Sequence, residues 1–292
     1  MKNKAINIKD LEKVSPLFRG RIGNRFAEYM MHFLSIDKIN ELYDHSFYYK
    51  GAEFASRLLN DLGVFYRIGN VERMKNSLNN AFISISNHPY GGLDGIMLID
   101  LMAGIRPDYK FMVNKVLSLI KTMDENFISV TPVTTKKTDI SENFSSIRET
   151  LFHLREGHPV GVFPSGAVSD LNLKDFSIRD REWQESVLKL IKMAKVPIVP
   201  IRFFDKNSPF FYLLGLINWR IRLLRMPSEV FNKKNQMPRI GIGEIITVEE
   251  QEQFNDISSF GLFLRRAVYD MPMPESFTPR GAINLSVEKT TL

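Results

Sequence analysis

The chain has 292 residues, 44% of them hydrophobic and 25% charged, enough apolar content to bury a large core and to exclude collagen-like, low-complexity and mostly disordered classes. It has no cysteine, which excludes disulfides, thiolate catalysis, acyl-cysteine intermediates and cysteine-ligated zinc together. Lys+Arg outnumber Asp+Glu by 39 to 33, and the net +6 suits anionic lipid, an acidic substrate or nucleic acid without selecting among them.

The first twenty residues, MKNKAINIKDLEKVSPLFRG, contain no unbroken apolar run and no small-residue cleavage site, so no signal peptide is expected. A membrane-spanning helix needs roughly 20 mostly apolar residues. The longest apolar stretches, 95–105 with its Asp100 and 210–217, fall short, and an intracellular, non-integral protein is expected. Residues 1–80 read as helical. Phe26, Met30, Met31 and Phe33 recur at helical spacing over 24–34, and Phe54, Leu58, Leu59 and Leu62 over 51–62. An N-terminal helical cap is therefore expected over 1–75.

At residue 81 the period changes. AFISIS, 81–86, reads as a buried strand, followed by the turn-rich NHPYGGLDG and a helix over 96–103. Strands are expected at 110–113 and 127–130. A helix over 141–156 would have Ser141 as its N-cap and Gly157 as its closing glycine. A strand over 159–163 leads into the loop PSGAVSD. A helix over 180–195 carries Trp183, Val187, Leu190, Ile191 and Ala194 on one face. Next come strands at 196–201 and from 239, a last helix over 253–271, and a loose tail over 272–292. The alternation predicts one α/β domain over 76–271, its central, mostly parallel or mixed sheet flanked by helices.

Chemistry concentrates in NHPYGGLDG. Ligands in open α/β sheets bind beyond the carboxyl ends of strands, and His88 stands there. Paired glycines, Gly91 and Gly92, allow a tight fold-back that would bring the Asp94 carboxylate onto one imidazole nitrogen. The other nitrogen is then left to accept a proton. A serine nucleophile is disfavoured, since no G-x-S-x-G occurs and Pro164 precedes Ser165. His32, His45, His153 and His158 show no metal-ligand spacing, and no phosphate-binding glycine loop is present, so no metal and no cofactor are expected.

Three blocks then resemble the lysophospholipid acyltransferase superfamily, also called glycerol-3-phosphate acyltransferase-like, in its bacterial NHPxGGLDG form. They are Asn87-His88-Pro89-Tyr90-Gly91-Gly92-Leu93-Asp94, Phe163-Pro164-Ser165-Gly166-Ala167-Val168-Ser169, and Val196-Pro197-Ile198-Val199-Pro200-Ile201. The resemblance covers roughly residues 80–205. It implies that His88 is the general base on an acceptor hydroxyl and that Asp94 orients it. Attack is directly on the thioester of acyl-carrier protein or acyl-CoA, with a lyso-lipid as acceptor. It also implies substrate contacts from Asn87, Gly91, Gly92, Phe163, Pro164, Ser165, Gly166 and Ser169. Backbone N–H groups at Gly91–Gly92 or near Gly166 would serve the oxyanion.

The chain departs from the family in two places. Five residues rather than four separate His88 from Asp94, and the usual F-P-E-G-T-R-S carries Ser165 for Glu and Val168 for Arg. An Arg fork suits a phosphate. Its loss brings a lyso-aminolipid, such as a lyso-ornithine or lyso-glycine lipid, level with a lysophospholipid. Lys115, Lys136 and Lys137 either meet an anionic head group or are solvated surface charges.

Residues 209–225, PFFYLLGLINWRIRLLR, carry Phe210, Leu213, Leu214, Ile217, Ile221 and Leu224 on one helical face. With Phe211, Trp219, Arg220, Arg222 and Arg225, the segment either meets the inner face of the cytoplasmic membrane, packs as a core helix, or docks acidic acyl-carrier protein. The expected protein is an O-acyltransferase, peripheral on that membrane. The alternative is a degenerate acyltransferase fold that binds lipid or acyl carrier without chemistry. Nucleic-acid binding finds no motif.

Overall fold

A computed structural model describes residues 3–9, 12, 18–77, 79–114, 117, 120–130 and 137–283. In chain order its N-terminal elements are helices α1 (Gly20–Phe33), α2 (Ile36–Ser46) and α3 (Gly51–Leu62), then strands β1 (Arg67–Gly69) and β2 (Ile83–Ser86). Helix α4 (Gly92–Met102), strands β3 (Lys110–Asn114) and β4 (Phe127–Val130), helix α5 (Lys137–Arg155) and strand β5 (Val160–Val162) follow. A short hairpin, β6 (Asp170–Leu171) and β7 (Ile178–Arg179), precedes helix α6 (Glu185–Ala194) and strand β8 (Ile198–Phe203). The remaining elements are helices α7 (Pro209–Ile217) and α8 (Trp219–Phe231), strand β9 (Arg239–Ile242), helices α9 (Val248–Glu252) and α10 (Ile257–Tyr269), and strand β10 (Thr278–Pro279).

Among the described residues the main sheet runs β10-β1-β9-β8-β2-β5-β3-β4. The pairs from β8 through β4 are parallel, β9 is antiparallel to β8, and β10 is antiparallel to β1. The expected α/β architecture with a mostly parallel, mixed sheet is what forms. Register sets Ile85 beside Val162 and Pro200, so β2 and β5 end within one residue of each other while β8 runs on to Phe203. Every residue of β2 is buried, because helices cover both faces of a parallel sheet. Ile83, Ile85, Val160 and Val162 pack on one side with Leu188, Ile191, Phe260 and Leu264 of α6 and α10. Val199, Ile201 and Phe203 face the other side, with Leu58, Leu62, Met97 and Leu98 of α3 and α4.

Several local expectations shift. Helix α5 starts at Lys137, so Ser141 lies inside it rather than capping it, although Gly157 (φ +90°) closes it as expected. Residues 180–184 are not helical and α6 begins at Glu185, because Asp180 is held by His88, Ser169 and Tyr269 and Trp183 packs into the core. The helix expected over 253–271 is α10 alone; it starts at Ile257, because the Asp256 side chain caps it by accepting the Ser259 N–H at 2.8 Å. In α1 the small face Gly23, Ala27 and Met31 is buried, while Phe26, Tyr29 and Phe33 stay exposed.

Two of the sheet's strands come from segments read as helical cap and loose tail. β1 runs beside β9, and β10 pairs with β1. The tail is tied further by Arg280, whose Nη2 donates to the Asp100 carbonyl at 2.9 Å and whose Nε is 3.3 Å from Asp100 Oδ2. Tyr66 Oη donates to the same carboxylate oxygen at 2.5 Å. Arg280→Ala leaves that buried carboxylate one partner short and is expected to cost about 1–3 kcal/mol, read by urea denaturation.

Candidate active site

The loop after β2 is built around the Asp94 carboxylate. Gly91 takes φ +84°, a conformation that favours glycine, and the Met226 Sδ stands 2.5 Å from where a Cβ would lie. The turn folds Asp94, in the first turn of α4, back under the loop. Its Oδ2 accepts the Tyr90 N–H at 2.9 Å and its Oδ1 accepts the Gly95 N–H at 3.1 Å. The side chain is fully buried, and its Oδ1 lies 3.0 Å from His88 Nδ1. The fifth intervening residue is thus absorbed without separating the pair. The oxygen stands off the Nδ1–H direction, giving a close polar contact rather than an aligned hydrogen bond. Contacts of this kind in ligand-free sites tighten when substrate binds.

The imidazole is held on its face by Phe163, whose ring stacks at 3.8 Å between centroids and 21° between planes. His88, Gly91, Gly92, Phe163 and Gly166 open onto a cavity of about 1000 Å³. Ligand pockets span roughly 300–1,000 Å³, so this one is large. Its walls are mostly apolar, including Ile96, Ile99, Phe111, Met123, Phe127 and Ile147, with Gln184, Glu185 and Ser186 among the polar lining.

Other expected contacts point inward. Asn87 spends its amide on both polar groups of Phe203, at 2.9 and 2.8 Å, tying the loop to the end of β8. Ser165 Oγ donates to the Ala167 carbonyl at 2.8 Å, and Pro164 offers its carbonyl to Gln184 N–H at 2.9 Å. Ser169 donates its hydroxyl to Asp180 Oδ1 at 2.6 Å. The Gly166 N–H is taken by the Phe163 carbonyl at 2.9 Å. Lys115 and Lys136 lie outside the described residues, as do the side chains of Lys137 and Arg220.

The segment expected as one membrane-facing helix is two. The backbone is extended at Asn218 (φ −161°), and α7 and α8 pack against each other as a hairpin. Two of its expected lipid-facing residues are buried instead. Phe211 packs with Val168 and Tyr212, and the Arg222 guanidinium sits 5.3 Å over the Phe211 ring. Arg222 also donates to the Ser169 carbonyl at 3.1 Å and pairs with Asp170, so its charge is used at the end of the 163–169 loop, which the resemblance makes the acceptor-block loop. Phe210 and Trp219 are 54% and 51% exposed, and Arg225 is half-buried, 5.6 Å over the Phe210 ring.

The hairpin is fastened to the catalytic loop. Tyr212 Oη donates to the Pro89 carbonyl at 2.9 Å, and Asn207 Nδ2 donates to the Tyr90 carbonyl at 3.4 Å. Glu229 accepts both the N–H and the hydroxyl of Ser208, at 3.0 and 2.7 Å, and the buried Lys233 lies 3.7 Å from it. Burial pushes the Lys233 ammonium down from its ordinary pKa, against the attraction of Glu229. Sequence reasoning missed Tyr212, Met226 and the inward role of Arg222. Hydrophobic periodicity sorts residues by one helix face and carries no information about a partner 50 or 120 residues away.

Asp94→Asn offers one acceptor where two backbone N–H groups need acceptors, and it removes the charge beside His88. A loss of about 1–3 kcal/mol in unfolding free energy is expected. Turnover of the folded fraction is expected to fall roughly a hundredfold or more, read by steady-state kinetics beside circular dichroism.

A family model described as an acyltransferase matches residues 12–273. Two relatives are similar over most of their length, and both are lyso-glycine lipid O-acyltransferases. The protein of Phocaeicola vulgatus is 24% identical over 283 residues, covering 93% of this chain and 98% of the relative. That of Bacteroides thetaiotaomicron is 23% identical over 253 residues, covering 84% and 89%.

Proposed function

The chain belongs to the acyltransferase family, of the lysophospholipid acyltransferase type, and we propose that it moves a fatty acyl group from a thioester to the hydroxyl of a lyso-lipid. The carrying observation is the His88–Asp94 pair, 3.0 Å apart, at the mouth of a large apolar cavity. Asp94 occupies the Nδ1 side of the ring. Nε2 takes the proton of the acceptor hydroxyl as the oxygen attacks the thioester carbonyl carbon. The oxyanion forms beside the Gly91–Gly92 amides at the N-terminus of α4, where the helix dipole also favours negative charge. Collapse breaks the C–S bond. The leaving thiolate recovers the proton from Nε2, so ester and thiol leave a neutral histidine behind.

The apolar cavity suits the acyl tail, since each buried methylene is worth about 0.8 kcal/mol. Acyl-carrier protein or acyl-CoA supplies the thioester. A lyso-glycine lipid is the acceptor we favour. Val168 replaces the arginine that would face a phosphate, Arg222 is committed to Asp170, and both curated relatives bear that substrate in their names. Acyl transfer with radiolabelled donor and a panel of lyso-glycine, lyso-ornithine and lysophosphatidate lipids tests this. His88→Ala is expected to lose activity by roughly 10²–10⁴-fold while remaining folded. Equal turnover by wild type and variant would remove His88 as the base.

We further propose that the α7–α8 hairpin rests on the cytoplasmic face of the membrane. Phe210, Leu213, Ile217, Trp219, Ile221 and Leu224 are exposed there, and no described helix is long and apolar enough to cross a bilayer. The nearby β6–β7 tip adds exposed Leu173 and Phe176, with Phe176 held at φ +52°. An exposed apolar patch of this kind marks an interaction surface. Replacing Phe210, Ile217 and Trp219 together by Ser is expected to abolish sedimentation with anionic vesicles while leaving turnover of detergent-dispersed substrate within about twofold. Unchanged vesicle binding would place the contact elsewhere.

A further inference from the structure

We infer that Asp180 is a positioning residue, the post that holds the catalytic loop and the acceptor-block loop in register. The inference rests on the acyltransferase reading of His88 and adds a residue that no motif marks. Three donors converge on this buried carboxylate. Its Oδ1 accepts the His88 backbone N–H at 3.1 Å and the Ser169 hydroxyl at 2.6 Å, and its Oδ2 accepts Trp183 Nε1–H at 3.3 Å. The loops are joined again directly, Ser169 N–H donating to the His88 carbonyl at 2.9 Å. Asp180 is itself pinned to α10 by its own backbone. Its N–H donates to Tyr269 Oη at 2.7 Å, and its carbonyl accepts from Arg265 Nη2 at 2.6 Å.

An acceptor-only group fits this spot. Three donors meet two oxygens, and no basic side chain pairs with the carboxylate among the described residues. Burial pushes its carboxyl up from the ordinary pKa, against the Ser169 and His88 hydrogen bonds that pull it down. The tie passes through the His88 main chain and the Ser169 side chain. It therefore sets where the imidazole stands relative to residues 163–169, without touching substrate. Misplacing a base by about 1 Å costs on the order of a hundredfold in rate, and that distance is what Asp180 controls.

The test compares Asp180→Asn, Asp180→Ala and Ser169→Ala, alone and combined, in the full chain. The amide keeps an oxygen for both His88 N–H and Ser169 Oγ–H, whereas alanine removes it. A graded fall in kcat is expected, severalfold for Asp180→Asn and about ten- to a hundredfold for Asp180→Ala, with KM for acceptor within twofold. Adding Ser169→Ala to Asp180→Ala is expected to cost nothing more, because both act through one tie. The His88 backbone amide resonance is expected to shift in Asp180→Ala and to stay in place in His88-distant controls such as Lys189→Ala. Normal kcat in folded Asp180→Ala, or a loss matched by the fraction unfolded, would overturn the inference. So would an unmoved His88 amide. A wild type that transfers no acyl group, but whose His88 amide still responds to Asp180, would sink the acyltransferase reading and leave the tie standing.

Discussion

The Asp94 carboxylate is fully buried, accepts two backbone N–H groups and stands 3.0 Å from His88, and the rest of the site is arranged to make that possible. A buried charge of this kind costs several kcal/mol unless its oxygens are occupied. The Tyr90 and Gly95 amides occupy them, which requires the chain to double back between residues 88 and 95. Doubling back requires a positive φ at Gly91, and the end of the Met226 side chain packs into the space beside it. The loop geometry, the glycine and the packing of α8 are thus consequences of burying one acid beside one histidine.

That loop is legible in the sequence because its determinants are local. The strand AFISIS, the paired glycines and the acid six positions after the histidine all lie within 14 residues. β5 and β8 are legible for the same reason, as short apolar runs beside turn signals, and α3 matches the expected 51–62 span because its apolar period and Gly63 agree. The first two acyltransferase-like blocks follow the neighbouring strands β2 and β5, and the third lies on β8 beside β2.

Where the reading went astray, the deciding interaction was distant in sequence. β1 is three residues long and stands in a helix-rich stretch. Its partners are residues 239–241 and 278–279, and nothing near Arg67 announces them. The tail is ordered by Arg280 reaching Asp100, 180 residues away. Arg222 and Phe211 sit on a stretch whose periodicity suggests a single amphipathic helix, yet the break at Asn218 turns both toward residues 168–170. Asp180 reads as the start of a helix, and its role exists only because His88 and Ser169 arrive beside it.

These distant contacts also connect surfaces that differ in chemistry. The α7–α8 hairpin exposes Phe210, Ile217 and Trp219 on one side, and on the other it gives the Tyr212 hydroxyl to the Pro89 carbonyl and Met226 to the space over Gly91. Glu229 and Lys233 lock its base with charges that have no exit to water. The hairpin is thus fastened to the His88 loop at several points, and the proposed lipid-facing surface lies on the same hairpin that packs over that loop. On that arrangement the same few hydrogen bonds that seat the hairpin also set the His88 loop against it.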